Sequence, residues 1–242
     1  MVCYLKIGHY DIPVKIIQEW RISTRVALGK DHVILRIPRT LFHEQIQQHL
    51  TWAQGWLHKI EAQKPNTLSR YIHIKIYQHG STLDIGGQTF TIHLSEAKSE
   101  MAGIKLRNQT DIVISLPAGK EYDEQKVIKK LLATFACRYF LPRITERVSF
   151  FNQQFFQQNF KSIRLKYNKS NWGSCSGDRN LNFSVRLLFA PPSVVDYVVV
   201  HELAHLIEMN HSPRFWKLVS DVLPDYKKSE KLLKANSYLY DF

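Results

Sequence analysis

The sequence predicts an α+β protein in which a β-rich region, residues 1–119, precedes a largely helical region, residues 120–242. The first region carries short alternating apolar runs separated by Gly, Pro and Asn, which is typical of strands and hairpins. The second carries apolar residues at three- and four-residue steps, which is the period of amphipathic helices. We find no Pro/Gly-rich linker and no internal sequence repeat that would mark the boundary sharply.

Composition and charge indicate a globular chain with a preference for anionic partners. Of the 242 residues, 44% are hydrophobic and 12% aromatic, which argues against disorder. The formal net charge is +12, from 33 Lys and Arg against 21 Asp and Glu. This excess favours nucleotide or nucleic acid as a partner. Because the basic residues are scattered, an ordinary solvated surface is the competing interpretation.

Cysteine usage and hydropathy predict a cytoplasmic protein with no membrane partner. The three cysteines are far apart and form no CxxC pair, which argues against a disulfide framework or a cysteine metal site. The first residues lack the apolar core of a signal peptide. The most apolar run, Val194–Ile207, is interrupted by charged residues and histidines, so we expect no membrane span.

In the β-rich region the pattern predicts strands, hairpin turns and one long helix. Strand-like segments are Arg21–Ala27, His32–Ile37, Tyr71–Tyr77, Thr89–Leu94 and Asp111–Leu116. Gly29-Lys30-Asp31 and Gly86-Gly87 provide the turn chemistry of hairpins. Thr40 is the expected cap of a helix whose apolar residues recur from Ile46 to Ile60.

In the second region, helices flank a predicted β-hairpin. Expected helix starts are Asp123, Pro142 and Ser212-Pro213, followed by a short basic helix over Lys227–Lys234. The hairpin strands are Ile163–Tyr167 and Leu181–Leu187. The loop between them is Lys169–Arg179.

The stretch His201-Glu202-Leu203-Ala204-His205 carries the chemistry. Ser193 and Asp196 form a capping box that predicts a helix through this stretch, although its valine run alone would suit a strand. On a helix, His201 and His205 lie one turn apart and project from the same face. Two neutral imidazoles at this spacing can hold one tetrahedral metal ion, and zinc fits best.

A catalytic zinc site needs a third protein ligand and an open fourth position. His211 is the first candidate, because Asn210 can end the helix in a left-handed turn; Glu208 is the alternative. The pattern predicts a hydrolase with one zinc ion per chain, in which Glu202 acts as general base and then general acid. A buried helix with hydrogen-bonded histidines is the competing structural interpretation.

Several further motifs follow one another between Lys169 and Tyr226. They are Asn171-Trp172-Gly173-Ser174-Cys175-Ser176, Leu181-Asn182, Asp196-Tyr197-Val198-Val199, Asn210-His211-Ser212 and Phe215-Trp216. Together with the histidine pair, they resemble the YgjP-like metallopeptidase family, which is related to the SprT-like and WLM zinc proteases. The sequence departs from the family at Asn171, where a basic residue is usual.

The resemblance implies a zincin-like metallopeptidase domain built from helices, a β-hairpin and an HExxH helix. In such zinc peptidases the strand before the metal helix pairs with extended substrate, which points to Leu181–Leu187. The candidate substrate-binding residues are Trp172, Asn182 and Arg186.

The sequence leaves the reaction class open between three hypotheses. The first is a zinc endopeptidase acting on extended or unfolded polypeptide. The second is a metal-dependent nucleoside triphosphate (for example UTP) pyrophosphatase, favoured by Arg164, Lys166 and the net charge. The third is a DNA-associated protease. The sequence contains neither a Gly-rich phosphate loop nor a recognised DNA-reading motif, which favours the endopeptidase.

Overall fold

The computed structural model describes residues 2–7, 10–29, 32–64, 67–68, 71, 75–118, 122–237 and 239–242, without the side chains of residues 10, 11 and 43. The chain divides into two compact units, Met1–Ile74 and Lys75–Phe242. This boundary precedes the one predicted after residue 119. The strands between residues 82 and 116 belong to the second unit because their buried side chains share one hydrophobic core with the helices that follow them.

The first unit is a four-stranded sheet followed by one long helix. Strands β2 and β4 are parallel, the other neighbouring pairs are antiparallel, and the order is β1-β2-β4-β3. The elements are β1 (Val2–Ile7), β2 (Tyr10–Glu19), β3 (Arg25–Leu28), β4 (Val33–Pro38) and α1 (His43–Gln63). The prediction that Thr40 caps α1 is wrong. Phe42 is the cap residue, and its N–H donates to the Gln45 side chain.

The second unit begins with a sheet of the same topology. Its order is β5-β6-β8-β7, with β6 and β8 parallel and the outer pairs antiparallel. The strands are β5 (Thr82–Ile85), β6 (Gln88–Glu96), β7 (Gly103–Arg107) and β8 (Asp111–Leu116), and a helix, α2 (Glu124–Tyr139), follows. The structure therefore contains a topological repeat that the sequence does not show.

Two local predictions in these sheets have opposite outcomes. The Gly86-Gly87 hairpin is confirmed, since both glycines have positive φ, 60° and 72°, as a tight two-residue turn requires. The predicted strand Tyr71–Tyr77 is absent from its described part. Tyr71 is helical, residues 75–77 are irregular, and residues 72–74 lie outside the described residues.

A third sheet follows the helices α2 and α3 (Leu141–Phe151). Asp123 caps α2, as predicted, by accepting the Lys126 N–H at 3.0 Å. The third sheet contains β9 (Ser162–Lys166), β10 (Gly173–Cys175) and β11 (Asn180–Ser184) in the order β10-β11-β9.

The predicted hairpin between Ile163–Tyr167 and Leu181–Leu187 is wrong. Strands β9 and β11 are parallel, and the antiparallel hairpin joins β10 to β11. The short strand β10 lies between them in sequence, and the chain reverses direction both before and after it, so β11 runs the same way as β9. Strand β11 also ends at Ser184, where a 3₁₀ helix, Val185–Phe189, begins.

The chain then forms α4 (Pro192–Ala204), α5 (Pro213–Val222) and α6 (Tyr226–Asn236). The valine-rich run is helical, as predicted, and its apolar side chains are buried almost throughout. The predicted capping box is wrong: Pro191 is the cap residue, and Asp196 instead accepts two hydrogen bonds from Arg147, at 2.5 and 2.8 Å. In the part of the chain that the structure describes, no helix has the length and apolarity needed to cross a bilayer.

Candidate metal centre

Helix α4 delivers two of the three predicted histidines at its C-terminal end. His201 lies in the last turn, and His205 is the residue that caps it. The predicted helix end at Asn210 is wrong, because the helix stops at Ala204. A tight turn follows, in which the N–H of Ile207 and that of Glu208 both donate to the Ala204 carbonyl. This turn redirects the chain so that His211 faces back toward the helix.

The three histidines form one cluster. One ligand atom from each of His201, His205 and His211 lies within 4.8 Å of the others. The Nε2 atoms of His201 and His211 are 3.0 Å apart. Glu208 is not a member of this cluster. Its carbonyl oxygen lies 3.1 Å from His205 Nδ1, which assigns the proton to Nδ1 and leaves Nε2 of His205 as the atom that can ligate.

Helix α5 holds the three rings in place. Its cap, Ser212, directly follows His211 and accepts the N–H of Phe215 at 3.3 Å. The buried Phe215 ring contacts all three imidazoles, with centroid distances of 4.8, 4.5 and 4.7 Å to His201, His205 and His211. The Trp216 ring lies 5.6 Å from the His211 ring and is tilted by 31° to it. These contacts restrict the rotation of the imidazoles before any ligand is present.

The surroundings keep the buried histidine neutral. Burial, and then the proximity of His205 and His211, lowers the pKa of His201 to about 3. Burial also lowers the pKa of His205. The buried Nδ1 of His201 has no hydrogen-bond partner among the described residues. Three imidazoles held this close together have the chemistry of a metal ligand set.

Glu202 is buried beside this cluster. Its side chain is 4% exposed, and its Oε2 atom has no hydrogen-bond partner among the described residues. Burial raises the pKa of Glu202 to about 8, and a hydrogen bond from the Cys175 backbone partly opposes this rise. Because Oε2 is unbonded, the backbone N–H of Cys175 is assigned to Oε1. A cation held by the histidines would favour the ionised carboxylate.

Gly173 creates the space that Glu202 occupies. A Cβ at Gly173 would lie 2.4 Å from Oε1 of Glu202 and 2.7 Å from its Cγ, which no real contact tolerates. Strand β10 therefore approaches α4 closely enough to hold the carboxylate only because residue 173 lacks a side chain. Gly173 belongs to the motif Asn171–Ser176, but the sequence alone indicated no role for it, although a glycine within a strand is a known sign of close approach.

The comparisons with known proteins agree with this chemistry. The sequence model described as "YgjP-like, metallopeptidase domain" matches residues 22–236, which is most of the chain. The chain belongs to the YgjP-like metallopeptidase family. A metal-dependent peptidase is therefore established at the level of the family, as the motifs around His201 predicted.

The other comparisons add little to the family assignment. A solved structure, the metallopeptidase zymogen abylysin of Pyrococcus abyssi, is 20% identical, and the match covers 39% of this chain and 95% of that one with a TM-score of 0.36. No curated protein matches significantly.

Two of the predicted substrate-binding residues of this YgjP-like chain lie in one structural cluster. Arg186 is 9% exposed, and its guanidinium carbon lies 4.4 Å from the centre of the Trp172 ring. The guanidinium donates to the carbonyls of Tyr240, Ser237 and Lys169 at 2.7, 2.9 and 3.3 Å. These contacts anchor the C-terminal segment, and a role of either residue in substrate binding stays a prediction.

Asn182 and Cys175 lie on the sheet beside Glu202. The Asn182 side chain donates to Ser174 Oγ at 3.3 Å, across the β10–β11 pair. Its role in substrate binding also stays a prediction. Cys175 is not a member of the histidine cluster. Burial and then the nearby Glu202 carboxyl raise the pKa of its thiol, so it is held in the neutral form.

Proposed function

We propose that this chain is a zinc-dependent endopeptidase that hydrolyses extended or unfolded polypeptide. One observation supports this most strongly: three imidazoles whose ligand atoms lie within 4.8 Å of one another, next to a buried carboxylic acid with an unbonded oxygen. Family membership supplies the reaction class, a metallopeptidase.

The histidine cluster fits one zinc ion. For Zn–N bonds of about 2.0–2.1 Å, a tetrahedral ion places neighbouring ligand nitrogens about 3.3 Å apart. The Nε2 atoms of His201 and His211, 3.0 Å apart, are close to this spacing. When bound, zinc would make a water molecule acidic and polarise the carbonyl of the scissile peptide. The hydrogen bond from His205 to the Glu208 carbonyl would orient the second ligand.

Glu202 acts as the proton carrier in this proposal. Cys175 holds one carboxylate oxygen, and Oε2 remains to accept a proton from water. The same oxygen then gives the proton to the leaving amine. The burial of Glu202 keeps competing water away and strengthens its electrostatic interactions with a bound cation.

Strand β10 is the element that offers its edge to an extended substrate. The sequence pointed to Leu181–Leu187, but β11 is paired on both sides, by β10 and by β9. The N–H and C=O groups of Ser174 face Asn182, since Trp172 and Ser176 bond to the partner strand at the adjacent registers. Gly173 and Cys175 therefore face outward. The Gly173 backbone groups are available to a substrate strand beside Glu202.

The basic side chains that favoured a nucleotide substrate lie away from the metal cluster. Arg186 anchors the C-terminal segment, and Arg164 and Lys166 lie exposed on β9, the opposite edge of the sheet from β10. No contact among the described residues favours triphosphate hydrolysis. The experiment with UTP described below tests this alternative.

The metal assignment is tested by elemental analysis of purified variants. We expect one zinc per chain in the wild type and in His58→Ala, whose side chain is exposed on α1. We expect less than a tenth of that content in His201→Ala and in His211→Ala. Full zinc content in His211→Ala would remove this residue from the ligand set. Zinc loss in Glu208→Gln would make the carboxylate the third ligand instead.

The reaction is tested with Glu202→Gln, which keeps the shape and zinc but cannot accept a proton. Hydrolysis of denatured casein should fall at least about a hundredfold, the usual contribution of acid–base catalysis. Glu208→Gln is the matched control and should retain activity. Hydrolysis of UTP that depends on Glu202, with casein left intact, would contradict the endopeptidase and support the pyrophosphatase.

A further inference from the structure

The first unit exposes an unusual group of large apolar side chains. Trp20, Ile22 and Phe42 are 81%, 102% and 78% exposed. In the described part of the chain, the next most exposed large apolar side chain is Met101, at 78%, and the remaining ones are 56% exposed or less. Three of the four most exposed apolar side chains therefore belong to the loops that follow β2 and β4.

These three residues, which we call the apolar tip, lie at one end of the first sheet. Strands β2 and β4 run parallel, with Glu19 beside Pro38, so the loops that follow them leave the sheet at the same end. The Arg39 N–H donates to the Glu19 carbonyl at 2.9 Å. The loop after β2 is fixed to α1 by a contact of 3.0 Å between Thr24 and His49. These contacts hold both loops of the apolar tip in place.

The described residues near the apolar tip include four arginines. Glu19 is shared by Arg21, at 3.6 Å, and Arg36, at 3.2 Å. Arg39 lies over the Trp20 ring at 5.4 Å. Arg25 is exposed and has no ion pair among the described residues. Glu44, in the first turn of α1, is the other acid near the tip. The tip thus combines protruding apolar side chains with a net positive charge.

We propose that the apolar tip docks on the surface of a membrane that contains anionic lipids. Exposed Trp, Ile and Phe side chains enter the boundary between head groups and acyl chains, and the arginines contact the lipid phosphates. Peripheral binding of this kind needs no spanning helix. The expectation that no membrane partner exists rested on the lack of a spanning segment, so it does not address such binding.

The structure favours a lipid surface over single-stranded nucleic acid. Arg39 covers one face of the Trp20 ring, so this ring offers a single face for base stacking. Ile22, the most exposed of the three, has no ring to stack. Insertion into lipid uses all three apolar side chains.

The test is co-sedimentation of the full chain with vesicles. One set contains only phosphatidylcholine, and the other contains about one-third phosphatidylserine. We expect binding to the anionic vesicles that weakens as salt is raised. The double variant Ile22→Ser/Phe42→Ser should bind at least about tenfold more weakly, because apolar area no longer enters the membrane. Ser is a preferred helix cap, so this variant should keep α1.

Two further variants separate the apolar and charge contributions. Met101→Ser removes an equally exposed side chain elsewhere and should bind like the wild type. Arg25→Gln and Arg39→Gln should each weaken binding to anionic vesicles by about fivefold. Equal binding of the double variant and wild type would overturn the proposal. So would sedimentation without vesicles, which indicates self-association, or tip-dependent binding to a labelled single-stranded oligonucleotide without binding to vesicles. None of these outcomes depends on peptidase activity.

Discussion

Gly173 shows how one missing side chain can position a catalytic group. The carboxylate of Glu202 occupies the place where a Cβ of residue 173 would lie, 2.4 Å from Oε1. Adding that atom must push Glu202 away from the Cys175 N–H or push β10 away from α4. In either case the proton acceptor moves relative to the histidines, which are held independently by Phe215.

We therefore expect Gly173→Ala to reduce turnover by about a hundredfold, since misplacement by about an ångström has this effect on catalysis. Zinc content should stay unchanged. The measurement is kcat and zinc content, with Gly177→Ala as control, because a Cβ there meets nothing within 4 Å. In the Gly173→Ala background, Glu202→Gln should cause little further loss. Additive losses would show that Gly173 acts independently of Glu202.

At the residue level, the sequence predicted what lies close along the chain. The spacing of His201, His205 and His211 predicted that they meet, and the structure brings them together. Their role as ligands stays a prediction. The contact of Gly173 with Glu202 joins a strand to a helix, and no local pattern encodes it. The same limit applies to Arg186, whose partners in the C-terminal segment are remote in sequence.

At the level of elements, Arg186 links the 3₁₀ helix to the end of the chain. Arg186→Ala removes hydrogen bonds to three carbonyls and leaves a gap beside Trp172. We expect a loss of about 2–4 kcal/mol in the free energy of unfolding, measured in urea. Arg164→Ala, on the exposed edge of β9, should cost less than about 0.5 kcal/mol. An unchanged stability with a raised KM would instead support the substrate-binding role predicted for Arg186.

The elements themselves were largely predictable, whereas their ends and pairing were not. The valine-rich helix was predicted because apolar residues continue at helical steps through Leu203 and Ile207. The start of this helix was predicted wrongly, because the Asp196 carboxylate accepts hydrogen bonds from Arg147 and does not cap the helix backbone. The pattern of alternation predicted β9 and β11 but could not show that they are parallel. Alternation records which face is buried and carries no information on the neighbouring strand.

At the level of the whole molecule, the division into units follows burial. The first unit and the sheet β5–β8 have the same strand order, and each is followed by a helix. Only the second of these sheets is buried together with the helices of the metal centre. The two sheets share a topology without sharing a sequence pattern, because many different apolar sequences can form the same arrangement of strands. The compact units therefore divide before this second sheet, whereas the sequence predicted a division after it.

Stability should depend on pH through Lys75. Its ammonium donates to the Asp241 carbonyl at 2.7 Å and lies 3.9 Å from the centre of the Phe189 ring. Burial lowers the pKa of Lys75 to about 8; the carboxylates of Asp241 and Asp84 oppose this, and Lys129 adds to it. The charged form is therefore penalised in the folded state and fully accepted in the unfolded chain.

The penalty is complete below pH 8 and is relieved as the pH rises toward the ordinary lysine value of 10.5. We expect Lys75→Met to make the free energy of unfolding less dependent on pH between about 8 and 10, as measured by urea unfolding. Lys105→Met, exposed on β7, is the control and should keep the slope of the wild type. An identical slope in Lys75→Met would assign the pH dependence to other groups.

The candidate ligands all lie within residues 201–211, whereas Gly173 and Cys175 belong to a strand much earlier in the chain. An unfolded polypeptide would thus keep the three imidazoles tethered within a short loop while Glu202 loses its support. A ligand that also binds the denatured ensemble stabilises the native state less than its affinity suggests. Any cation that the three imidazoles bind would therefore add less to the stability of the fold than its affinity for the native site suggests, whereas the position of Glu202 depends on folding.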